Sequence, residues 1–320
     1  MPKILIIQPF HEDGMALLDA RGDVTYEIVD GSSIEEMRTK IGDADGVTIR
    51  TALLPGEVLE QAQRLKVVSR HGVGYDNVDL EVLNRRGIPM ALAADANASS
   101  VAEHVLFMTL HLAKLGFRYD QAARNGEWGM RNSLQTLDIG GRRVLILGFG
   151  RIGKEVAKLF QAFNMPVSAF DPYVPAEVIQ GVGCHRVEDF RAVLGETDVL
   201  TMHMPLTTDT RDLIGRAELD AMPSHAFLIN CARGGLVNEP ALHHALTTGG
   251  IAGAGLDVFE QEPPPGDHPL FALENVLLSP HSAGLTMECA KRMAISTARN
   301  VLAGIDGTLD PAMVVNRDVL

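Results

Sequence analysis

The sequence predicts an α/β protein built from two doubly wound parallel sheets. Strand and helix signals alternate through the first ninety residues, and a second alternation runs from Arg143 to about residue 285. Near mid-chain, Gly148, Gly150 and Gly153 stand between an apolar strand-like run and an amphipathic helical pattern. Alternation of this kind implies parallel strands covered by helices on both faces. A length of 320 residues accommodates two domains, each able to bury its own core.

In chain order, Lys3–Ile7, Val24–Val29, Gly46–Ile49, Lys66–Ser69 and Pro89–Leu92 read as strands. Between them Glu12–Ala20, Ser33–Ile41, Pro55–Ala62 and Leu80–Arg86 carry helical periodicity, with Ser33 and Asp79 as caps. A long helix is predicted from Ser99 or Ser100 to about Arg124, with Val101, Val105, Met108, Leu112 and Leu115 on one face. Asn97, Ser99 and Ser100 supply N-cap chemistry, and Glu103 completes a capping box if Ser100 is the cap. This helix reads as a bridge between the two domains.

The second series continues through strands at Asp198–His203, Ala226–Asn230, Gly253–Val258 and Val276–Ser279. The segments TRDLIGRAELDAM and EPPPGDHP read as surface connections. A final amphipathic helix, Met287 to about Ile305, ends near Gly307 and returns to the first domain. The boundaries that follow are 1–96 with 286–320 for a discontinuous first domain, and 97–285 for the second.

The stretch from Arg142 to Phe163 carries the first functional signal. Val144–Leu147 is a strand, the glycines form G-x-G-x-x-G, and Ile152, Val156, Leu159 and Phe160 recur at helical spacing. In that context the pattern is a dinucleotide-binding fingerprint of the Rossmann type. Gly148 permits the turn, Gly150 lets backbone approach the pyrophosphate, and Gly153 lets helix pack on strand. The helix N-terminus, at Arg151 and Ile152, offers backbone N–H groups and a positive dipole end to phosphate. A second strand, Val167–Phe170, ends at Asp171, about 20 residues past the glycines, where a carboxylate grips a ribose 2′-OH. It also repels a 2′-phosphate, so the cofactor is NAD.

Composition narrows the partners. A formal net charge of −13 argues against nucleic acid, whose phosphates require a basic surface. No stretch is long and apolar enough to span a bilayer, and the N-terminal run is too short for a signal peptide. Cys184, Cys231 and Cys289 show no metal-ligand spacing, so no metal is expected, and they fit a reducing, cytoplasmic setting.

Reactive side chains follow three strand ends of the second series: Arg233 in CARGG, Asp257 and Glu262 in LDVFEQEPP, and His281 in LLSPHSAG. Ligands of open α/β sheets bind at such carboxyl ends. An arginine can hold a substrate carboxylate in a bidentate grip. A histidine can pass a proton to or from a carbonyl oxygen, and a glutamate beside it favours imidazolium and fixes its tautomer.

These motifs resemble the D-isomer-specific 2-hydroxyacid dehydrogenases, the family of D-3-phosphoglycerate dehydrogenase, hydroxypyruvate and glyoxylate reductases, D-lactate dehydrogenase and formate dehydrogenase. The resemblance covers nearly the whole length. It runs through RHGVGYDNVDL, NASSVAEHVL, LGFGRIG with FDPY, HMPLTTDTRDLIG, INCARGGLVNEPAL, LDVFEQEPP and LLSPHSAG. It implies a flavodoxin-like substrate domain carrying an inserted NAD-binding domain, with an active site in a cleft between them. It also implies a catalytic set of Arg233, Glu262 and His281, and backbone amides of Val73 and Gly74 on the substrate carboxylate. Asp257 matches a residue that contacts the nicotinamide carboxamide, with a loop-capping carboxylate as the alternative. The backbone around Cys231 and Ala232 would lie near the cofactor, and His203 and Pro205 match a loop near its adenosine half. Family members are commonly homodimers.

For the substrate, Glu262 stands where formate dehydrogenases carry glutamine, which points to keto-acid chemistry. Asn97 is shared with formate enzymes and others and is placed on the substrate side. Arg50 and Arg70 align with arginines that approach a substrate phosphate, whereas His71 stands where many phosphoglycerate dehydrogenases have a small residue. The alternative for the two arginines is solvated surface. The expectation is an NAD-dependent D-2-hydroxyacid dehydrogenase acting on a small anionic substrate. 3-Phosphoglycerate leads, and hydroxypyruvate, glyoxylate or another short hydroxyacid is the alternative. The chain end at Leu320 leaves no room for a regulatory extension, so serine feedback is not expected. From another class, the C-terminal-binding-protein corepressors share the fold and serve as NADH-sensing scaffolds.

Overall fold

Strand β1 (Lys3–Ile7) sets the plan of the first sheet, because its side chains serve both faces in alternation. Ile4 and Ile6 pack with Leu18, Ala294, Ala298 and Val301, while Leu5 and Ile7 pack with Met37, Val58 and Leu83 on the other side. An apolar run of this kind is what a parallel strand buried on both faces requires. With β2 (Thr25–Val29), β3 (Gly46–Ile49), β4 (Val67–Arg70) and β5 (Met90–Leu92) it forms a parallel sheet in the order β2-β1-β3-β4-β5. That is the flavodoxin-like order. The computed structural model describes residues 1–320 and divides into two compact units, Met1–Asn97 with Leu285–Leu320, and Ala98–Gly284.

Helices α1 (Glu12–Asp19), α2 (Ile34–Lys40), α3 (Gly56–Leu59) and α4 (Leu80–Arg85) connect these strands. Ser33 caps α2 by accepting from the Glu36 N–H, and Asp79 caps α4 by accepting from the Val82 N–H. The α3 helix is a single turn, shorter than the Pro55–Ala62 pattern, since Gln61, Ala62 and Leu65 close only three-residue turns. The C-terminal helix, Met287–Asp306, lies on this sheet and stops at Gly307, whose φ of +70 is the usual left-handed helix end.

The second unit begins with α5 (Ala98–Lys114), which buries Val101, Val105, Met108 and Leu112 in its core. Its start corrects the predicted cap: the helix begins at Ala98, so Ser100 lies buried within the first turn and is not the cap of a Ser100/Glu103 box. Its end corrects the predicted length. Leu115 adopts φ +51, and α6 (Gly116–Arg124) starts afresh. A left-handed residue interrupts the i→i−4 ladder, and Gly116 leaves room for the His111 ring, which would lie 3.2 Å from a Cβ there. The heptad-like spacing carried across this break and hid it.

Seven parallel strands then follow: β6 (Val144–Leu147), β7 (Val167–Phe170), β8 (His185–Arg186), β9 (Val199–Met202), β10 (Phe227–Asn230), β11 (Gly253–Leu256) and β12 (Val276–Leu278). Their order is β12-β11-β10-β9-β6-β7-β8. The reversal of winding falls between β6 and β9, the switch point at which such sheets take ligands. Helices α7 (Arg151–Ala162), α8 (Ala176–Gly181), α9 (Arg216–Ala221) and α10 (Glu239–Thr248) cover the faces. The two-residue strand β8 has no apolar run to announce it in the sequence. The TRDLIGRAELDAM segment contains α9, with Ile214 and Leu219 fully buried, so it is part of the core.

Candidate active site

At the end of β10 the buried Asn230 builds the turn that carries Arg233. Its Oδ1 accepts from the Ala232 N–H at 3.0 Å, and its Nδ2 donates to the Arg233 carbonyl at 2.8 Å. Asparagine suits this work because its short amide can serve both a donor and an acceptor of a tight turn. The Arg233 guanidinium is half-buried and donates to the Ala232 carbonyl at 2.7 Å. Beyond β11, Glu262 accepts from the Phe259 N–H through Oε1 at 3.1 Å and meets His281 Nδ1 through Oε2 at 2.7 Å. The His281 and Glu262 side chains keep 51% and 36% of their surface exposed, so the pair is reachable from solvent.

Electrostatics favour a charged Glu262. Burial alone would raise its carboxyl, but the hydrogen bonds from His281 and the Phe259 N–H, with Arg233 nearby, hold it below the usual range. With Glu262 on Nδ1, the Nε2 atom of His281 is the one left to meet a reacting group.

Asp257 holds the loop on which His281 stands. The fully buried carboxylate accepts from Ser279 Oγ at 2.5 Å, from the Ser282 N–H at 2.8 Å and from the Ala283 N–H at 2.9 Å. The His281 N–H also donates to the Asp257 carbonyl at 2.8 Å, which fixes a backbone with φ +51. These contacts are those that a loop-capping carboxylate makes. His104 of α5 reaches the same network through Ser279 Oγ at 2.9 Å, and burial lowers its pKa against the pull of Asp257. Neither Asn230 nor His104 was singled out from the sequence. An asparagine at a strand end before a glycine turn was a readable signal for the first; nothing in the local pattern marks the second.

The glycine turn fits a dinucleotide. Gly148 has φ +90, and a Cβ there would lie 2.6 Å from the His203 carbonyl oxygen. At Gly153 a Cβ would lie 2.3 Å from the Gly148 oxygen. At Gly150 nothing stands within 4 Å of a Cβ position, so the backbone faces open space at the start of α7. No side chain caps that helix, leaving its N–H groups for an anion. Arg151 is exposed at the first position, whereas the Ile152 side chain packs against the core and can contribute only its backbone to a ligand. Asp171 directly follows β7 and accepts from the Phe149 and Tyr173 N–H groups at 2.8 and 2.9 Å. One carboxylate thus ties the glycine turn to the second strand.

His203 lies beside this turn, its N–H on the Leu147 carbonyl at 2.7 Å and its Nε2 against Thr201 Oγ1 at 3.0 Å. Burial pushes it down to about 3, so it is neutral. Pro205 is exposed and accepts from Thr210 Oγ1 at 2.8 Å. Cys231 is buried with its Sγ 3.8 Å from Met108 Sδ, and burial holds the thiol well above its usual value. It is a packed sulfur rather than a nucleophile.

In the first unit, Arg50 and Arg70 are half-buried, not free surface arginines. Arg50 donates to the Pro9 carbonyl at 2.8 Å, and Arg70 donates to the His71 carbonyl. His71 is buried with its ring stacked on Phe10 at 5.9 Å, and it is pushed down to about 4 by burial first and then by Arg50, with a smaller push from Arg70. Val73 and Gly74 follow Gly72, whose φ is +139, and both are half-buried. Asn97 has a buried Oδ1 that accepts no hydrogen bond.

Comparison with known proteins places the chain. The profile of the D-isomer specific 2-hydroxyacid dehydrogenase, NAD binding domain, matches residues 106–283. A glyoxylate reductase from Thermofilum pendens is 35% identical over 100% of this chain and 96% of its own length. The chain belongs to the D-isomer-specific 2-hydroxyacid dehydrogenase family. A D-3-phosphoglycerate dehydrogenase from Methanocaldococcus jannaschii is 39% identical over 97% of this chain, which spans only 58% of that relative. Among solved structures, D-lactate dehydrogenase from Aquifex aeolicus, complexed with NAD and lactic acid, superposes with a TM-score of 0.85. It is 27% identical, and the match covers 98% of this chain and 99% of that one.

Proposed function

We propose that this protein is an NAD-dependent D-2-hydroxyacid dehydrogenase that interconverts a short 2-hydroxy acid and its 2-keto acid. The 2.7 Å contact between His281 and Glu262, on the strand ends beside Arg233, carries this reading. NAD(H), when bound, supplies or takes up the hydride. Arg233 holds the substrate carboxylate and polarises the neighbouring carbonyl. His281 Nε2 gives its proton to the carbonyl oxygen in reduction and takes it back in oxidation, while Glu262 stabilises the imidazolium. Gly150, Arg151 and the N–H groups of α7 hold the pyrophosphate, and Asp171 holds the adenosine ribose.

His203, Pro205, Cys231, Ala232 and Asp257 line the cofactor by their place at the strand ends. Val73, Gly74, Arg50, Arg70 and Asn97 are assigned to the substrate on the family resemblance. Two arginines in the first unit favour a second acidic group on the substrate, so 3-phosphoglycerate is the leading candidate. Glyoxylate or hydroxypyruvate is the second reading, favoured by the end-to-end match to a glyoxylate reductase. A homodimer is proposed from large apolar side chains exposed in one stretch, Phe107, Phe117, Trp128 and Leu134. A cytoplasmic setting is proposed from three buried thiols, Cys184, Cys231 and Cys289. No helix is long and apolar enough to cross a membrane.

The test is NADH oxidation with phosphohydroxypyruvate, hydroxypyruvate and glyoxylate. His281→Ala or Arg233→Ala is expected to cut turnover by at least about a hundredfold while NADH still binds. Full turnover in either variant would refute the assignment. Arg50→Ala and Arg70→Ala should weaken the phosphorylated substrate selectively. Equal effects across the three acids remove 3-phosphoglycerate from the lead.

A further inference from the structure

The loop that presents Glu262 is held from outside by a second carboxylate. Glu239, the first residue of α10, accepts from the Glu260 N–H through Oε1 at 2.7 Å and meets His268 Nε2 through Oε2 at 3.0 Å. The two side chains are only 15% and 11% exposed, so the contact is shielded from water. The His268 tautomer follows from its other nitrogen. Nδ1 accepts from the Leu270 N–H at 3.4 Å, which leaves the ring proton on Nε2, pointed at Glu239. The ring also packs edge-on against Phe259 at 5.5 Å and tilts against Phe271 at 5.3 Å.

Phe259 and Glu260 are therefore gripped through both backbone and side chain. Phe259 supplies one of the N–H groups on Glu262, so a shift of this segment moves the catalytic carboxylate. The same segment abuts the arginine turn. A Cβ on Gly234 would lie 1.8 Å from the Phe259 carbonyl oxygen, so only glycine lets the two loops meet. Around Glu262 the charged groups are His281 and Arg233, and beside it Glu260 pairs with Arg211 at 3.6 Å.

We propose that Glu239 and His268 are positioning residues that fix the Phe259–Glu262 segment, and so the distance between Glu262 and His281. This rests on the catalytic reading of that pair. Neither residue touches the pair itself, and both act through the backbone.

The experiment compares Glu239→Ala, Glu239→Gln and His268→Phe with Glu262→Gln in the full chain, using NADH and whichever keto acid the wild type reduces. Reduction needs the imidazolium that Glu262 stabilises across the 2.7 Å contact. In Glu239→Ala, kcat is expected to fall about tenfold or more, with the Kd for NADH unchanged. The high-pH limb of kcat/KM is expected to move toward lower pH. Glu239→Gln should restore part of kcat, because its amide oxygen still accepts from Glu260 while its amide nitrogen opposes the His268 Nε2–H. His268→Phe keeps the aromatic packing and should move the limb in the same direction, which keeps the test intact if Glu239→Ala does not fold. If Glu262→Gln alters rate and limb but the Glu239 and His268 variants keep the wild-type limb, the positioning role is wrong and the catalytic reading stands. If Glu262→Gln itself changes neither, both fall together.

Discussion

His71 and His203 are both kept neutral chiefly by burial, and both make stability depend on pH. His71 is pushed down to about 4 and His203 to about 3, from an ordinary value of 6.5. The unfolded chain therefore binds protons between pH 6.5 and 4 that the folded chain refuses. Unfolding takes up protons in that window, so stability rises with pH across it and is lost as pH falls. For His71 the full difference is roughly 3 kcal/mol once the pH is below 4, at 1.36 kcal/mol for each pH unit. His71→Phe keeps a ring against Phe10 and removes the titration. Its stability, followed by denaturant unfolding from pH 7 to 4, should fall less steeply than that of the wild type. Parallel curves would mean that His71 takes a proton in the folded state as easily as in the unfolded one.

At the scale of elements, the three glycines of the β6–α7 turn separate folding from binding. Gly148→Ala would force a side chain into the left-handed region, at about 1–2 kcal/mol for the backbone alone, and press a Cβ onto the His203 carbonyl. Gly153→Ala drives α7 off β6. Both should lower the melting temperature before any cofactor is added. Gly150→Ala has an ordinary φ of −74 and open space, so its melting temperature should match the wild type while the Kd for NADH rises at least about tenfold. Unchanged NADH affinity in Gly150→Ala would move the pyrophosphate elsewhere. The geometry of this turn was legible in the sequence because a strand, a turn and a helix must meet within a few residues. The break at Leu115 was not, since a left-handed leucine preserves hydrophobic spacing while ending the hydrogen-bond ladder. Arg233, Glu262 and His281 were legible as strand-end side chains. Glu239, His268 and His104 were not, because their partners lie 21 to 175 residues away and no local period encodes such a contact.

At the scale of the whole molecule, surface charge and exposed apolar side chains oppose each other. A net charge of −13 makes two copies repel, and screening shortens that repulsion to about 8 Å at physiological ionic strength. Against it stand Phe107, Phe117, Trp128 and Leu134, at 50, 62, 70 and 87% exposure. Burying a large apolar side chain contributes about 1.5–3 kcal/mol, so four of them outweigh a screened field. Self-association should therefore strengthen with added salt, the reverse of an interface held by ion pairs. Sedimentation velocity of the wild type is expected to give twice the chain mass, most completely at higher salt. Phe117→Glu with Trp128→Arg should sediment as single chains that still bind NADH. A wild type that runs as one chain at every concentration and salt level assigns these side chains to something other than a second copy. Dissociation by salt would instead place the contact on the charged faces.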